Sequence, residues 1–132
     1  MVTTSDLASI SLFESLSDSE RQEVAGWFEL QTVGEGVRLC GERSCAYSFF
    51  ILIEGGAVVT KGDATLGNLE AGEFFGEIAI LGDGRRSATV TTSSPARLLV
   101  MFGTEFRRLE AAHPGIAARI EKVMRRRLAV DD

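Results

Sequence analysis

The chain has 132 residues, of which 45% are hydrophobic and 25% are charged, values that suit one globular domain. Its 14 Lys and Arg against 19 Asp and Glu give a net charge of −5, which argues against non-specific nucleic-acid binding by the whole surface. Two Cys and one His exclude a disulfide scaffold or four-ligand zinc site, and no apolar run approaches the roughly 18 residues of a membrane span. The start lacks a signal-peptide pattern, so a soluble protein of the reducing cytoplasm is expected.

The first predicted element is a helix that begins after Ser17. Ser17 and Glu20 have the spacing of a capping box, in which each side chain bonds the backbone N–H of the other residue. Val24, Trp27 and Phe28 follow at helical spacing. The pattern therefore predicts a helix in front of the β-rich part of the chain.

The middle of the chain is predicted to be all-β. Eleven of the fourteen glycines fall between Gly34 and Gly84, where they separate short runs of β-branched and aromatic residues. Glycine at this spacing is typical of tight turns between short strands, which favours a sandwich, jelly roll or barrel over a parallel α/β sheet. The runs read as strands are residues 28–33, 48–53, 57–60, 87–92 and 97–102.

Two helices are predicted after the last strand. Thr104 is placed to cap the first of them. His113 and Pro114 should end or kink that helix, because the residue before a proline avoids the α region. The second helix is expected to restart after Gly115, with an apolar stripe made of Ile116, Ile120, Val123, Met124 and Leu128.

Charge is divided unevenly along the chain. Residues 1–84 carry four basic and fourteen acidic groups, whereas residues 85–132 carry ten basic and five acidic groups. The second part is therefore positive and leaves an anionic partner open. Its run from Arg125 to Arg127 is interpreted first as a solvated helix end that interacts favourably with the helix dipole.

The segment 75–90 departs from a simple strand pattern. A single helical turn that starts at Glu77 would direct the free N–H groups of Ile78 and Ala79 at one point, and such groups bind anions. Arg86, at the start of the next strand, would return to that point and meet a phosphate with two parallel hydrogen bonds. A phosphate would repel Glu77, which suits a sugar hydroxyl better.

This segment resembles the phosphate-binding cassette of cyclic nucleotide-binding domains, through Phe75-Gly76-Glu77-Ile78-Ala79 and Arg86-Ser87-Ala88-Thr89-Val90. Such domains occur in the catabolite activator protein, in cyclic-AMP-dependent kinase regulatory subunits and in cyclic-nucleotide-gated channels. The resemblance covers about residues 10–128. It implies a single mainly β domain over residues 1–132, with an antiparallel, jelly-roll-like β-roll over about 28–102. One N-terminal helix and two C-terminal helices over about 104–128 would flank the roll.

The resemblance also implies roles for individual residues. Glu77 would accept the ribose 2′-hydroxyl and Arg86 would pair with the cyclic phosphate. The full set of implied ligand-binding residues is Gly76, Glu77, Ile78, Ala79, Arg86 and Ser87. Family members close the pocket over the base with a residue of the last helix, for which the candidates are Arg119, Lys122 and Arg126. Arg85 stands where many members have proline, and it is interpreted first as a solvated surface group.

We expect a cyclic-nucleotide sensor without catalytic residues, metal or cofactor, in which the ligand repositions the C-terminal helices. Cyclic AMP is favoured over cyclic GMP because it is the commoner ligand of the family. His113, the only histidine, cannot form a metal cluster, which weighs against a cupin-like enzyme. The alternative is an interaction module of the same fold with an empty pocket. DNA binding is not expected, since only about four residues follow Leu128, and an effector domain or protein partner would lie outside the chain.

Overall fold

The structure, a computed structural model, describes residues 6–7, 10–40, 48–75 and 89–131. A short 3₁₀ turn, Ser11–Phe13, precedes helix α1, Asp18–Ala25. The hydroxyl of Ser17 accepts a hydrogen bond from the Glu20 N–H at 3.2 Å, and Glu20 Oε1 accepts one from the Ser17 N–H at 2.8 Å. The predicted capping box is thus confirmed. The Ser17 N–H stabilises the ionised Glu20 carboxyl and so holds its pKa below the usual value, and the Ser17 hydroxyl adds a smaller effect in the same direction.

Eight strands form two antiparallel four-stranded sheets within these described ranges. In spatial order, the first sheet contains β1 (Glu29–Val33), β8 (Ala96–Phe102), β3 (Ser48–Glu54) and β6 (Phe74–Phe75). The second sheet contains, in spatial order, β2 (Arg38–Cys40), β7 (Thr89–Thr92), β4 (Ala57–Lys61) and β5 (Ala64–Leu69). The predicted mainly β, antiparallel fold is confirmed.

The alternation of side chains along the strands of the first sheet divides the core into two. Phe49 and Ile51 of β3 pack on the helical side, in one cluster with the helix residues Phe106 and Ile120. Four buried even-numbered residues of β3 and β8 pack between the two sheets: Phe50, Leu52, Leu98 and Val100. Because both faces of the first sheet are covered, the fold has three layers, with the helices, the first sheet and the second sheet in that order.

Two C-terminal helices follow β8, namely α2 (Gly103–Ala112) and α3 (Pro114–Asp131). The break predicted at His113 is confirmed. The second helix begins at Pro114 itself rather than after Gly115, because a proline in the first helical position loses no intrahelical hydrogen bond. No helix in the described part of the chain is long and apolar enough to cross a membrane.

The prediction that Thr104 caps the first C-terminal helix is wrong. Phe102 occupies the capping position without a side-chain hydrogen bond, and Thr104 lies inside the first turn. There its hydroxyl donates to Glu105 Oε2 at 2.6 Å, which holds the pKa of the Glu105 carboxyl below its usual value. The helix continues directly from β8, so the capping position falls on a strand residue.

Thr92 at the end of β7 fixes the turn between β1 and β2, and its hydroxyl is the basis of a stability prediction. The Thr92 Oγ1 accepts a hydrogen bond from the Val37 N–H at 2.8 Å and donates one to the Gly34 carbonyl at 2.7 Å. The residue is only 3% exposed, so water does not replace these bonds easily. Thr92→Val would leave both backbone groups without this partner and should lower the free energy of unfolding by about 1–3 kcal/mol. Thr92→Ser keeps the hydroxyl and should lower the free energy of unfolding clearly less. Urea denaturation measures both variants. Equal losses of stability would contradict the role of the hydroxyl.

Candidate functional site

The described chain flanks the predicted cassette on both sides. β6 ends at Phe75 in the first sheet and β7 begins at Thr89 in the second sheet, so the residues between them connect the two sheets. All six predicted ligand-binding residues fall in that connection and lie outside the described residues: Gly76, Glu77, Ile78, Ala79, Arg86 and Ser87. Their individual roles therefore stay predictions.

The first anchor of the cassette is the turn into β6. The Leu52 N–H donates to the Glu73 carbonyl at 2.9 Å, and the Gly72 N–H donates to the Leu52 carbonyl at 2.7 Å. The ring of Phe75 stacks on the ring of Phe50, with centroids 4.8 Å apart and planes 8° apart. These contacts to β3 fix the backbone from which the cassette starts.

The second anchor is β7, which Arg86 and Ser87 precede in the sequence. Thr89 pairs with Thr60 of β4 and Val90 pairs with its neighbour Val59. The Val90 side chain is buried in the core between the two sheets. The chain that leaves the cassette is therefore held by the second sheet while the chain that enters it is held by the first.

A groove lies beside the first anchor, between the 3₁₀ turn and α3. It has a volume of about 410 Å³, and its lining includes Leu12, Glu14, Glu73, Phe74, Arg119 and Val123. One guanidinium and two carboxylates give the groove a mixed charge. The described part of its lining thus lacks the concentrated positive charge that a cyclic phosphate requires.

The three candidate base-capping residues are all exposed on α3. Arg119, Lys122 and Arg126 follow each other at spacings of three and four, so they share one face of the helix. The packed side of the helix is marked by Ile120, which is fully buried. Arg119 Nη1 lies 3.5 Å from the Leu12 carbonyl, a long hydrogen bond that directs this guanidinium towards the 3₁₀ turn. The contact of any of the three with a base remains a prediction.

The single histidine lies at the junction of α2 and α3, apart from the cassette anchors. The His113 side chain is 12% exposed, and its Nδ1 lies 3.8 Å from Oε2 of Glu20 on α1. Its Nε2 is buried, without a hydrogen-bond partner in the part of the chain that the structure describes. Across the described ranges, no cluster of three or more His, Cys, Asp or Glu side chains could hold a metal ion.

Sequence reasoning did not predict the ring contacts among the phenylalanines around the first anchor. Phe74 contacts Phe49 with ring centroids 5.4 Å apart, and Phe49 contacts Phe106 of α2 at 5.2 Å. The sequence signal for these contacts was a pair of adjacent phenylalanines in β3 and another in β6. Neighbouring residues in a strand point to opposite faces, so each pair places one ring on either face of the sheet. Which rings meet across strands depends on register, which the sequence does not state.

This chain is similar to known proteins over most of its length. The family model described as the cyclic nucleotide-binding domain matches residues 30–113, from β1 to the junction of α2 and α3. This match covers the roll and the predicted cassette.

Individual relatives belong to different kinds of protein. The chain is 34% identical over 125 residues to a cAMP-dependent protein kinase regulatory subunit of Mycosarcoma maydis, covering 88% of this chain and 24% of that one. It is 30% identical over 116 residues to a cyclic nucleotide-gated potassium channel of Rhizobium etli, covering 88% and 32%. The crystal structure of the Thermus thermophilus catabolite activator protein superposes with a TM-score of 0.78 at 24% identity, covering 89% and 58%, which shows a shared fold. The chain thus spans a third or less of the length of these two sequence relatives.

Proposed function

Because the chain belongs to the cyclic nucleotide-binding domain family, we propose that it binds cyclic AMP as a regulatory sensor. The observation that carries the proposal is the match of this family over residues 30–113, which includes both Glu77 and Arg86 at the spacing of the cassette. The relative from Mycosarcoma maydis, a cAMP-dependent kinase regulatory subunit, supports cyclic AMP as the first ligand to test. The activity that such a sensor would control lies with an effector still to be found.

The proposed chemistry is recognition of a small cyclic anion. Arg86 would meet the phosphate with two parallel charge-assisted hydrogen bonds, and the N–H groups of Ile78 and Ala79 would add backbone donors. Glu77 would accept the ribose 2′-hydroxyl. The described anchors support this assignment, because β6 and β7 hold the two ends of the cassette in different sheets. A loop held at both ends loses less conformational freedom when it closes on a ligand.

The proposed response is a shift of the C-terminal helices. α2 packs directly on the first sheet through Phe106 and Leu109, which are fully buried. The exposed face of α3 with Arg119, Lys122 and Arg126 would then approach the base. Such a shift requires that the ligand bind the closed arrangement more tightly than the open one.

A thermal shift experiment tests whether the chain binds at all. Ligand at a hundred times its Kd should stabilise the folded chain by about 2.7 kcal/mol and raise the melting temperature accordingly. Cyclic AMP and cyclic GMP are compared at the same concentrations, with 5′-AMP as the control that lacks a cyclic phosphate. A flat response to both cyclic nucleotides at high concentration would favour an interaction module with an empty pocket.

Glu77→Ala tests the ribose contact. If its carboxylate accepts the 2′-hydroxyl, the variant should bind cyclic AMP more weakly by about 1.5–3 kcal/mol, the range for a hydrogen bond to a charged group. Binding of 2′-deoxy cyclic AMP should be unchanged. Glu73→Ala removes a carboxylate of the same charge just outside the cassette and should not distinguish the two ligands. Equal losses for both ligands in Glu77→Ala would contradict the assignment.

A further inference from the structure

We infer that Phe49 is a positioning residue that links the strand entering the cassette to the helices that follow the roll. The inference rests on the proposed function for its regulatory meaning, because it concerns how ligand binding at the cassette reaches α2. It does not require that Phe49 touch the ligand. It assigns to this one side chain the contact between β6 and α2.

The contacts of Phe49 support this role. Its side chain is fully buried, and its ring centroid lies 5.4 Å from that of Phe74 and 5.2 Å from that of Phe106. The ring planes make angles of 43° and 60°, so both contacts lie within the favourable range of tilted and edge-to-face aromatic pairs. Phe49 therefore contacts one ring on β6 and one ring on α2.

β6 lies directly before the predicted ligand-binding residues in the sequence, so these contacts begin next to the cassette. Phe74 is separated from Gly76, the first of the predicted ligand-binding residues, by Phe75 alone. Protein cores are close-packed, so a displaced ring must be accommodated by its neighbours. A change in the backbone at the start of the cassette would reach Phe74, then Phe49, and then Phe106 on the buried face of α2.

The neighbouring residue Phe50 provides a matched control. Phe50 lies on the same strand, is also buried, and stacks on Phe75 of β6 with centroids 4.8 Å apart. It faces the core between the two sheets, and the buried residues described for that cluster include none from α2 or α3. Phe49→Leu and Phe50→Leu thus make the same chemical change beside β6. Among the ring contacts of the described residues, the first substitution removes one with α2 and the second removes one with β6.

The first test measures, without any ligand, whether Phe49 couples Phe74 energetically to Phe106. Phe74→Leu and Phe106→Leu are made singly and together, once with Phe49 and once with Phe49→Leu, and unfolding is followed in urea. With Phe49 present, the change in the equilibrium constant of unfolding caused by the two substitutions together should differ by at least about threefold from the product of the changes that each causes alone. With Phe49→Leu the departure should vanish. Its absence in the first background, or its persistence in the second, would overturn the inference.

The second test measures the response to cyclic AMP by hydrogen exchange. The unsubstituted chain should show a ligand-dependent change in exchange over residues 103–112. Phe49→Leu should bind within about tenfold of the original affinity but lose most of that change, whereas Phe50→Leu should keep it. If both variants keep the change, or both lose it, Phe49 does not have this role. Failure of the unsubstituted chain to bind would refute the proposed function, and the ligand-free cycle would still decide the link between β6 and α2.

Discussion

Arg86→Ala should weaken the binding of cyclic AMP by about 30-fold to several thousand-fold, which corresponds to about 2–5 kcal/mol. The guanidinium would form two charge-assisted hydrogen bonds with the cyclic phosphate, and its loss would leave that charge without its main partner. Equilibrium dialysis with labelled cyclic AMP measures the change. The unfolding transition of the variant should be nearly unaffected, because the proposed role concerns the ligand.

Two further variants separate the geometry of Arg86 from its charge. Arg86→Lys should recover little affinity, because an ammonium group lacks the planar fork that pairs with two phosphate oxygens. Arg85→Ala removes the same charge from the neighbouring residue and should change affinity by no more than about threefold, as expected for a solvated group. Equal losses in Arg85→Ala and Arg86→Ala would indicate a general effect of positive charge and would contradict a specific phosphate contact.

Gly55→Ala should have the largest effect on stability, lowering the free energy of unfolding by about 2–5 kcal/mol. Gly55 has a φ of 90°, a left-handed conformation that L side chains rarely adopt. A Cβ atom there would lie 2.4 Å from the carbonyl oxygen of Pro95. The turn connects β3 with β4, which pair with β6 and β7 respectively, so it also sets the spacing of the two cassette anchors.

Gly62→Ala is the matched control for this prediction. Gly62 also has a positive φ, 59°, but a Cβ atom there would meet no atom of the described residues within 4 Å. It should therefore cost only the conformational penalty of about 1–2 kcal/mol. Urea denaturation measures both variants. The account of the β3–β4 turn would be contradicted if the two substitutions were equally destabilising.

The two central strands of the first sheet, β3 and β8, were predicted because their burial is visible as a local pattern. β3 and β8 are continuous apolar runs because both faces of the first sheet are covered. β5 was not predicted, since most of its residues are exposed and, among the described strands, it pairs with β4 alone, at the edge of the second sheet. β6 has two residues and exists because it pairs with β3, a contact between distant parts of the chain.

At the candidate site, too, local motifs were visible in the sequence whereas contacts between distant residues were not. Motif spacing alone indicated Glu77 and Arg86, because the chemistry of a phosphate site is encoded in neighbouring residues. The contact of Phe49 with Phe106 joins residues far apart in the sequence and depends on strand register and helix packing. The position of Arg119 beside the Leu12 carbonyl likewise required the packing of α3 on the N-terminal segment. Sequence reasoning therefore proposes chemical groups for the site, which stay predictions, but it did not predict these contacts between distant residues.

The most direct measurement is calorimetric titration of the purified chain with cyclic AMP, repeated on Arg86→Ala. We expect saturable binding with one site per chain, and a loss of most of the affinity in the variant. Absence of binding heat at several temperatures, or identical titrations for the two proteins, would contradict recognition of a cyclic phosphate through this arginine.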